Sequence, residues 1–214
     1  MQTGDLTRIE LQLVVFGQAQ VQLERHLKER LQDVFGANGA SLDIYISHYA
    51  RIDGSFDVDR QQHASGPYLQ FLDAFNPNEP HSIKLGVIDE DLYSDSHPSL
   101  NFIFGEARVG GDSGIISTAR LDPRFYRLPY REKLYFDRAV KEAVHELGHV
   151  LGLAHCNDVR CIMHFSNCIE DTDIKHVQPC ISCAGNLKGN VKKRGKLRVT
   201  RAPGSEPGSR SCNS

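Results

Sequence analysis

Residues 143–156 read AVHELGHVLGLAHC, and the spacing of His145, Glu146, His149, Gly152 and His155 within them organises the rest of the chain. On a helix, at about 100° of rotation per residue, His145 and His149 lie about 40° apart on one face, so both imidazoles can reach one ion. Glu146 stands beside them. Gly152 follows the last turn, where a residue free to adopt the left-handed conformation ends the helix. The chain can then turn and bring His155 back as a third ligand. Three neutral protein ligands leave the fourth position of a tetrahedral zinc open, as in a catalytic rather than a structural site. Zinc brings the pKa of its water to about 7 and polarises a carbonyl, while a carboxylate at Glu146 takes the proton. Incidental surface histidines would not be expected to match this five-position pattern.

A second cluster begins where the first ends. Cys156 follows His155, Cys161 lies five residues on, and Cys180 and Cys183 form a C-x-x-C. Four thiolates in two closely spaced pairs make a closed tetrahedral zinc set, so the chain is expected to hold two zinc ions, one catalytic and one structural. The alternative for the C-x-x-C is a redox pair, but no thioredoxin-like pattern surrounds Ile181 and Ser182. A metal on Cys156 would fix His155 from behind. Cys168 and Cys212 are left over, and Cys168 could compete as a ligand.

With 214 residues the chain is long enough for one domain with a substantial core. Its net charge of −2 hides an asymmetry: residues 187–214 hold eight Lys or Arg and one acid, a balance of +7, against 17 basic and 26 acidic residues, or −9, in the remainder. The expected organisation is one folded domain at 1–186 and a basic, disordered tail at 187–214. That tail has no aromatic residue to stack on a base, which favours a solvated extension over a nucleic-acid arm. The N-terminus lacks a basic region followed by a long apolar run, and no segment approaches 18 apolar residues. A cytoplasmic protein without a membrane span is expected, and a reducing compartment turns six cysteines toward metal rather than disulfides.

Along the chain, residues 8–16 (RIELQLVVF) read as a strand covered on both faces, residues 18–35 as an amphipathic helix and residues 42–46 as a second strand. A shorter helix is expected over 65–75, strands at 82–89 and 100–104, and a hairpin or close return through the glycines at 110–114 into 115–118. One of these late strands, within 101–118, is expected to be a sheet edge. Residues 130–151 form the longest helical pattern, with Val140, Val144, Leu147 and Leu151 as its apolar stripe. From 153 to 186 regular periodicity fades. The fold class is α/β (α+β): a twisted mixed sheet of four to five strands packed by helices.

The motif from His145 to Cys156, then Cys161-x-Met163 and Cys180-x-x-Cys183, closely resembles the archaemetzincins, a branch of the metzincin zinc peptidases. The resemblance implies a metzincin-like zincin fold and a peptidase acting on peptide or protein substrates. It implies His145, His149 and His155 as ligands of catalytic zinc, Glu146 as general base, Met163 as the Met-turn, and Cys156, Cys161, Cys180 and Cys183 as ligands of structural zinc. It departs from other metzincins after the methionine, where His164-Phe165 offers no phenol for an oxyanion. His164 is read as a polar loop residue rather than a substitute. A metal-dependent endoribonuclease with H-x-x-x-H-x-x-G-x-x-H spacing is the alternative from another class, and a zinc-binding module with an idle peptidase site is a third. Glu146 discriminates against the ribonuclease. A monomer is favoured, and no function is assigned to His26, His48, His63, His81, His97 or His176.

Overall fold

The apolar run at residues 8–16 forms strand β1 (Thr7–Phe16), buried without interruption from Leu11 onward. Helix α1 (Val21–Ala37) links it to β2 (Ala40–Tyr49), which runs parallel to β1 from Thr7↔Ala40 to Phe16↔Tyr49. The expected βαβ opening is present. Two short strands, β3 (Phe56–Asp57) and β4 (Gln62–Ala64), lead into α2 (Ser65–Ala74), whose first turn holds Pro67, where a missing N–H costs nothing. Then come β5 (Ile83–Ile88), β6 (Leu92–Tyr93), β7 (Gly105–Ala107) and β8 (Ser113–Ser117). After two 3-10 turns within 119–126, α3 (Glu132–Val150), α4 (Ile169–Ile174) and α5 (Ile181–Thr200) complete the order. This computed structural model describes residues 6–18, 20–75 and 82–200.

The main sheet has the order β2-β1-β5-β8-β7, parallel except for β7, which pairs antiparallel with β8 across the glycine-rich turn at 108–112. Alternation along the strands sorts the core into two layers. Leu13, Val87 and Ile116 join α1 and α3 on one face, while their neighbours Val14, Ile88 and Ile115 join Tyr68, Leu69 and Leu72 of α2 on the other. Gly86 is needed on the α2 face, because a Cβ there would stand 3.0 Å from Leu72 and 3.2 Å from Ile115. Strands β3, β4 and β6 form a small second sheet that the sequence pattern did not announce.

Two expectations are corrected. Residues 100–104 are not a strand: only Ile103 makes a bridge, to Leu92, and the edge strand is β7, just beyond. That run is apolar because Ile103 and Phe104 are buried in the two core layers and Leu100 and Phe102 pack against them, not because they pair in a ladder. The second correction concerns the boundary at 186/187, which α5 crosses. Leu187 and Val191 are 3% and 0% exposed and pack into the main core, so the basic stretch as far as Lys196 belongs to the folded unit. Lysines and glycines lowered the apparent helical signal there, while one apolar residue per turn was enough to dock it. Residues 201–214, with Cys212, lie outside the described residues, as does His81.

Candidate active site

Helix α3 ends with the geometry that Gly152 predicts. Gly152 has φ +82°, its N–H donates to the His149 carbonyl at 2.8 Å, and the Leu153 N–H reaches the Gly148 carbonyl at 2.9 Å. That pair of bonds is a Schellman cap. It reverses the chain so that Leu153 O accepts from His149 Nδ1 at 2.8 Å, and His155 follows two residues later. His145 Nδ1 meets the Ile162 carbonyl at 2.7 Å. A carbonyl can only accept, so both Nδ1 atoms carry the proton and both Nε2 atoms present lone pairs.

Those lone pairs converge. His149 Nε2 lies 3.1 Å from His145 Nε2 and 3.2 Å from His155 Nε2. Two deprotonated nitrogens cannot hydrogen-bond one another, so the pocket they form suits a cation. Ligand atoms on a tetrahedral zinc, with Zn–N of about 2.0–2.1 Å, stand about 3.3–3.4 Å apart, close to the separations seen. Burial, before any neighbour's charge, holds the His145 imidazole well below its ordinary pKa and that of His149 below it. His155, more open, is brought down to about 4 by burial and then by His149 and Lys175. All three therefore stay neutral, as metal ligands must.

Glu146 is 4% exposed, on the helix face that looks across to β7. A Cβ on Gly105 would fall 2.6 Å from Glu146 Oε1 and 2.7 Å from its Cγ, so the bare glycine backbone is the cradle of this carboxylate. Burial, then the charge of Glu142, pushes the Glu146 carboxyl well above its ordinary range. Gly148 has a parallel duty on the side toward the loop. A Cβ there would meet the Met163 sulfur at 2.4 Å, which explains the glycine inside HELGH and places Met163, fully buried, directly beneath the histidine turn.

The four cysteines gather as a second cluster. The ligand atoms of Cys156, Cys161, Cys180 and Cys183 all lie within 4.8 Å of one another, with Cys156 Sγ and Cys180 Sγ 3.9 Å apart. Sulfurs around a zinc at about 2.3 Å are separated by about 3.8 Å, so this donor set fits too. Burial and then the neighbouring thiols push Cys183 far above its ordinary pKa. Cys168 stays apart: it is exposed at the start of α4, with its Sγ 3.5 Å from Asp171 Oδ2. His164 braces the loop, its Nδ1 donating to the Cys156 carbonyl at 2.8 Å, and Phe165 packs edge-on against His155.

Several residues here carry no motif. Glu142, one turn before Glu146, is buried and accepts from Thr172 Oγ1 at 2.9 Å and from the fully buried Lys175 Nζ at 3.3 Å. Arg138 forks onto Asp173 at 2.8 and 2.6 Å, tying α4 to α3 below that pair. Asn190 of α5 donates to the Leu151 carbonyl at 2.9 Å, capping the zinc-motif helix from the region expected to be tail. Glu142 shares a helix face with Glu146 and His149, four and seven residues on, and that spacing was the available signal; the others depend on contacts far apart in sequence. A cavity of about 690 Å³ opens in front of the histidines, walled by α3, the 94–107 segment and Phe165, Ser166 and Asn167.

Comparison with known proteins agrees with this geometry. The family profile described as Peptidase family M54 matches residues 79–189, more than half of the chain. The archaemetzincin of Methanocaldococcus jannaschii is 40% identical over 172 residues, covering 80% of this chain and 89% of that protein. The chain belongs to the archaemetzincins, peptidase family M54. The archaemetzincin of Pyrococcus horikoshii is 42% identical over 139 residues, 65% of this M54 chain and 72% of its relative. The crystal structure of archaemetzincin from Methanopyrus kandleri superposes with a TM-score of 0.76 at 31% identity, covering 87% of this chain and 97% of that one. A zinc-dependent peptidase from Methanocorpusculum labreanum gives 0.74 at 28% identity, over 83% and 99%. Membership makes this chain a zinc-dependent metallopeptidase and sets the ribonuclease reading aside. Among the described residues no helix is long and apolar enough to cross a membrane.

Proposed function

We propose that His145, His149 and His155 hold a catalytic zinc, that Glu146 is the general base of peptide hydrolysis, and that Cys156, Cys161, Cys180 and Cys183 hold a second, structural zinc. The observation that carries the catalytic half is the convergence of three Nε2 atoms beside a buried carboxylate at the wall of one cavity. When bound, zinc polarises the scissile carbonyl and acidifies a water.

The residues of the chain do the rest. An extended substrate pairs with the free edge of β7, so its backbone lies alongside Gly105 and passes Glu146. Glu146, pressed against Gly105, takes the proton of the attacking water and returns it to the departing amine. Burial raises its affinity for that proton, as a base working near neutral pH requires. Met163 under Gly148 keeps the histidine turn from sinking, and Ile162 O and Leu153 O fix the two imidazole tautomers. The closed cysteine cluster anchors the loop that carries His155, because Cys156 is its chain neighbour. The free state of the described cysteines, at ligand rather than disulfide separation, supports a reducing, cytoplasmic setting.

The test is Glu146→Gln, which keeps the shape of the side chain and removes its basicity. Elemental analysis should find about two zinc ions per chain in both proteins. Peptide-library digestion should be lost in the variant; unchanged turnover would remove Glu146 from the mechanism.

A further inference from the structure

Three carboxylates line the cavity, Glu106, Glu142 and Glu146, and no lysine or arginine does. Two of them are accounted for. Glu146 is cradled by Gly105 in the cavity wall that also holds the histidines, and Glu142 is met by the buried Lys175 ammonium at 3.3 Å. Among the described residues Glu106 is met by no lysine or arginine. Its Oε1 accepts from Ser94 Oγ at 3.0 Å and Ser96 Oγ at 2.6 Å, and its Oε2 from Ser65 Oγ at 2.5 Å. Its basic neighbour is His97, whose exposed ring puts Nδ1 3.6 Å away. Asp95, which shares the Ser65 hydroxyl at 3.4 Å, adds a second negative group. Hydroxyl donors orient a carboxylate without cancelling its charge, and here the side chain keeps only 16% of its exposure, where screening is weaker than at an open surface.

Position gives this charge a use. Glu106 is the strand neighbour of Gly105, which touches Glu146, and it stands opposite Ile115 on the α2 face of the sheet. A peptide added to the β7 edge turns successive side chains to opposite faces. A side chain flanking the bond held at Glu146 therefore falls on the side where Glu106 waits. Resting on the peptidase reading above, we infer that Glu106 is a specificity-determining residue that selects substrates with a lysine or arginine flanking the scissile bond.

The experiment compares peptides carrying arginine or norleucine at each flanking position. Zinc-loaded wild-type protein should favour arginine, and in Glu106→Gln the arginine-to-norleucine ratio of kcat/KM should fall about tenfold, mainly through KM, as expected for a charge-assisted contact. The glutamine retains a carbonyl for the serine hydroxyls, and matching melting curves show that the fold is kept. Glu106→Lys should turn the preference toward aspartate and glutamate. Binding of fluorescent peptides to zinc-loaded Glu146→Gln protein reads the same preference without turnover, and adding Glu106→Gln should abolish it. Cleavage and binding with no preference for arginine, or an unchanged ratio in Glu106→Gln, would overturn the inference. Preferential binding with no cleavage by the wild-type protein would support it and strike the peptidase reading alone.

Discussion

His155 and Cys156 are neighbours in the chain, yet they enter two clusters built on opposite plans. The histidine cluster takes two members from one turn of α3 and one from the loop, and it faces a cavity of about 690 Å³. The cysteine cluster takes no member from a helix interior until α5 begins at Ile181, and it is sealed by four sulfurs. An open site must keep an unfilled position, so its rigidity has to come from the surrounding fold: a capped helix, a buried methionine, two backbone carbonyls. A closed site is completed by the metal itself, and its rigidity is a result of binding. On the proposed assignment the cysteine cluster supports the histidine cluster, and the support does not run equally in reverse.

The largest expected effect tests that direction. Cys161→Ala should lose the cysteine-site zinc and loosen the turn that presents Ile162 O to His145, so zinc should fall below one per chain. A loss of about 3 kcal/mol would lower Tm by about 6–12 °C in a domain of this size. His155→Ala, in contrast, should keep one zinc and most of the melting temperature. Equal loss in both variants would break the asymmetry.

A smaller effect separates metal from base. Gly105→Ala drives a methyl group into the space of the Glu146 carboxylate, so kcat should fall about a hundredfold with zinc content unchanged by elemental analysis. Retained kcat would show that Glu146 has room the structure does not give it. The smallest effect is Cys168→Ser. An exposed thiol outside both clusters should change stability by less than about 0.5 kcal/mol and leave zinc content alone, as thermal melts and elemental analysis can verify.

Much of the site was legible because its spacing is local. Helical geometry relates His145 to Glu146 and His149, and a glycine at a helix end relates them to His155. The βαβ opening was legible for a similar reason: a continuous apolar run needs two covered faces. A strand was expected at 100–104 because buried loop residues and strand residues share composition, and only pairing distinguishes them; the edge itself, β7, falls within the expected 101–118. Helix α5 was missed because Leu187 and Val191 dock against a core assembled from residues far earlier in the chain.

The sequence by itself determined the peptidase family and pointed to the proposed ligand sets and general base, since each reading follows from residue types at fixed short separations. Only the tertiary structure decided what surrounds them. Gly105 and Glu146 stand 41 positions apart in sequence, Lys175 and Glu142 33, and Asn190 and Leu151 39. No local periodicity relates such pairs, because their contact is created by strand order and helix docking. The cradle of Glu146, the Lys175-paired Glu142 and the serine-held Glu106 at the cleft are consequences of packing, which spacing along the chain does not encode.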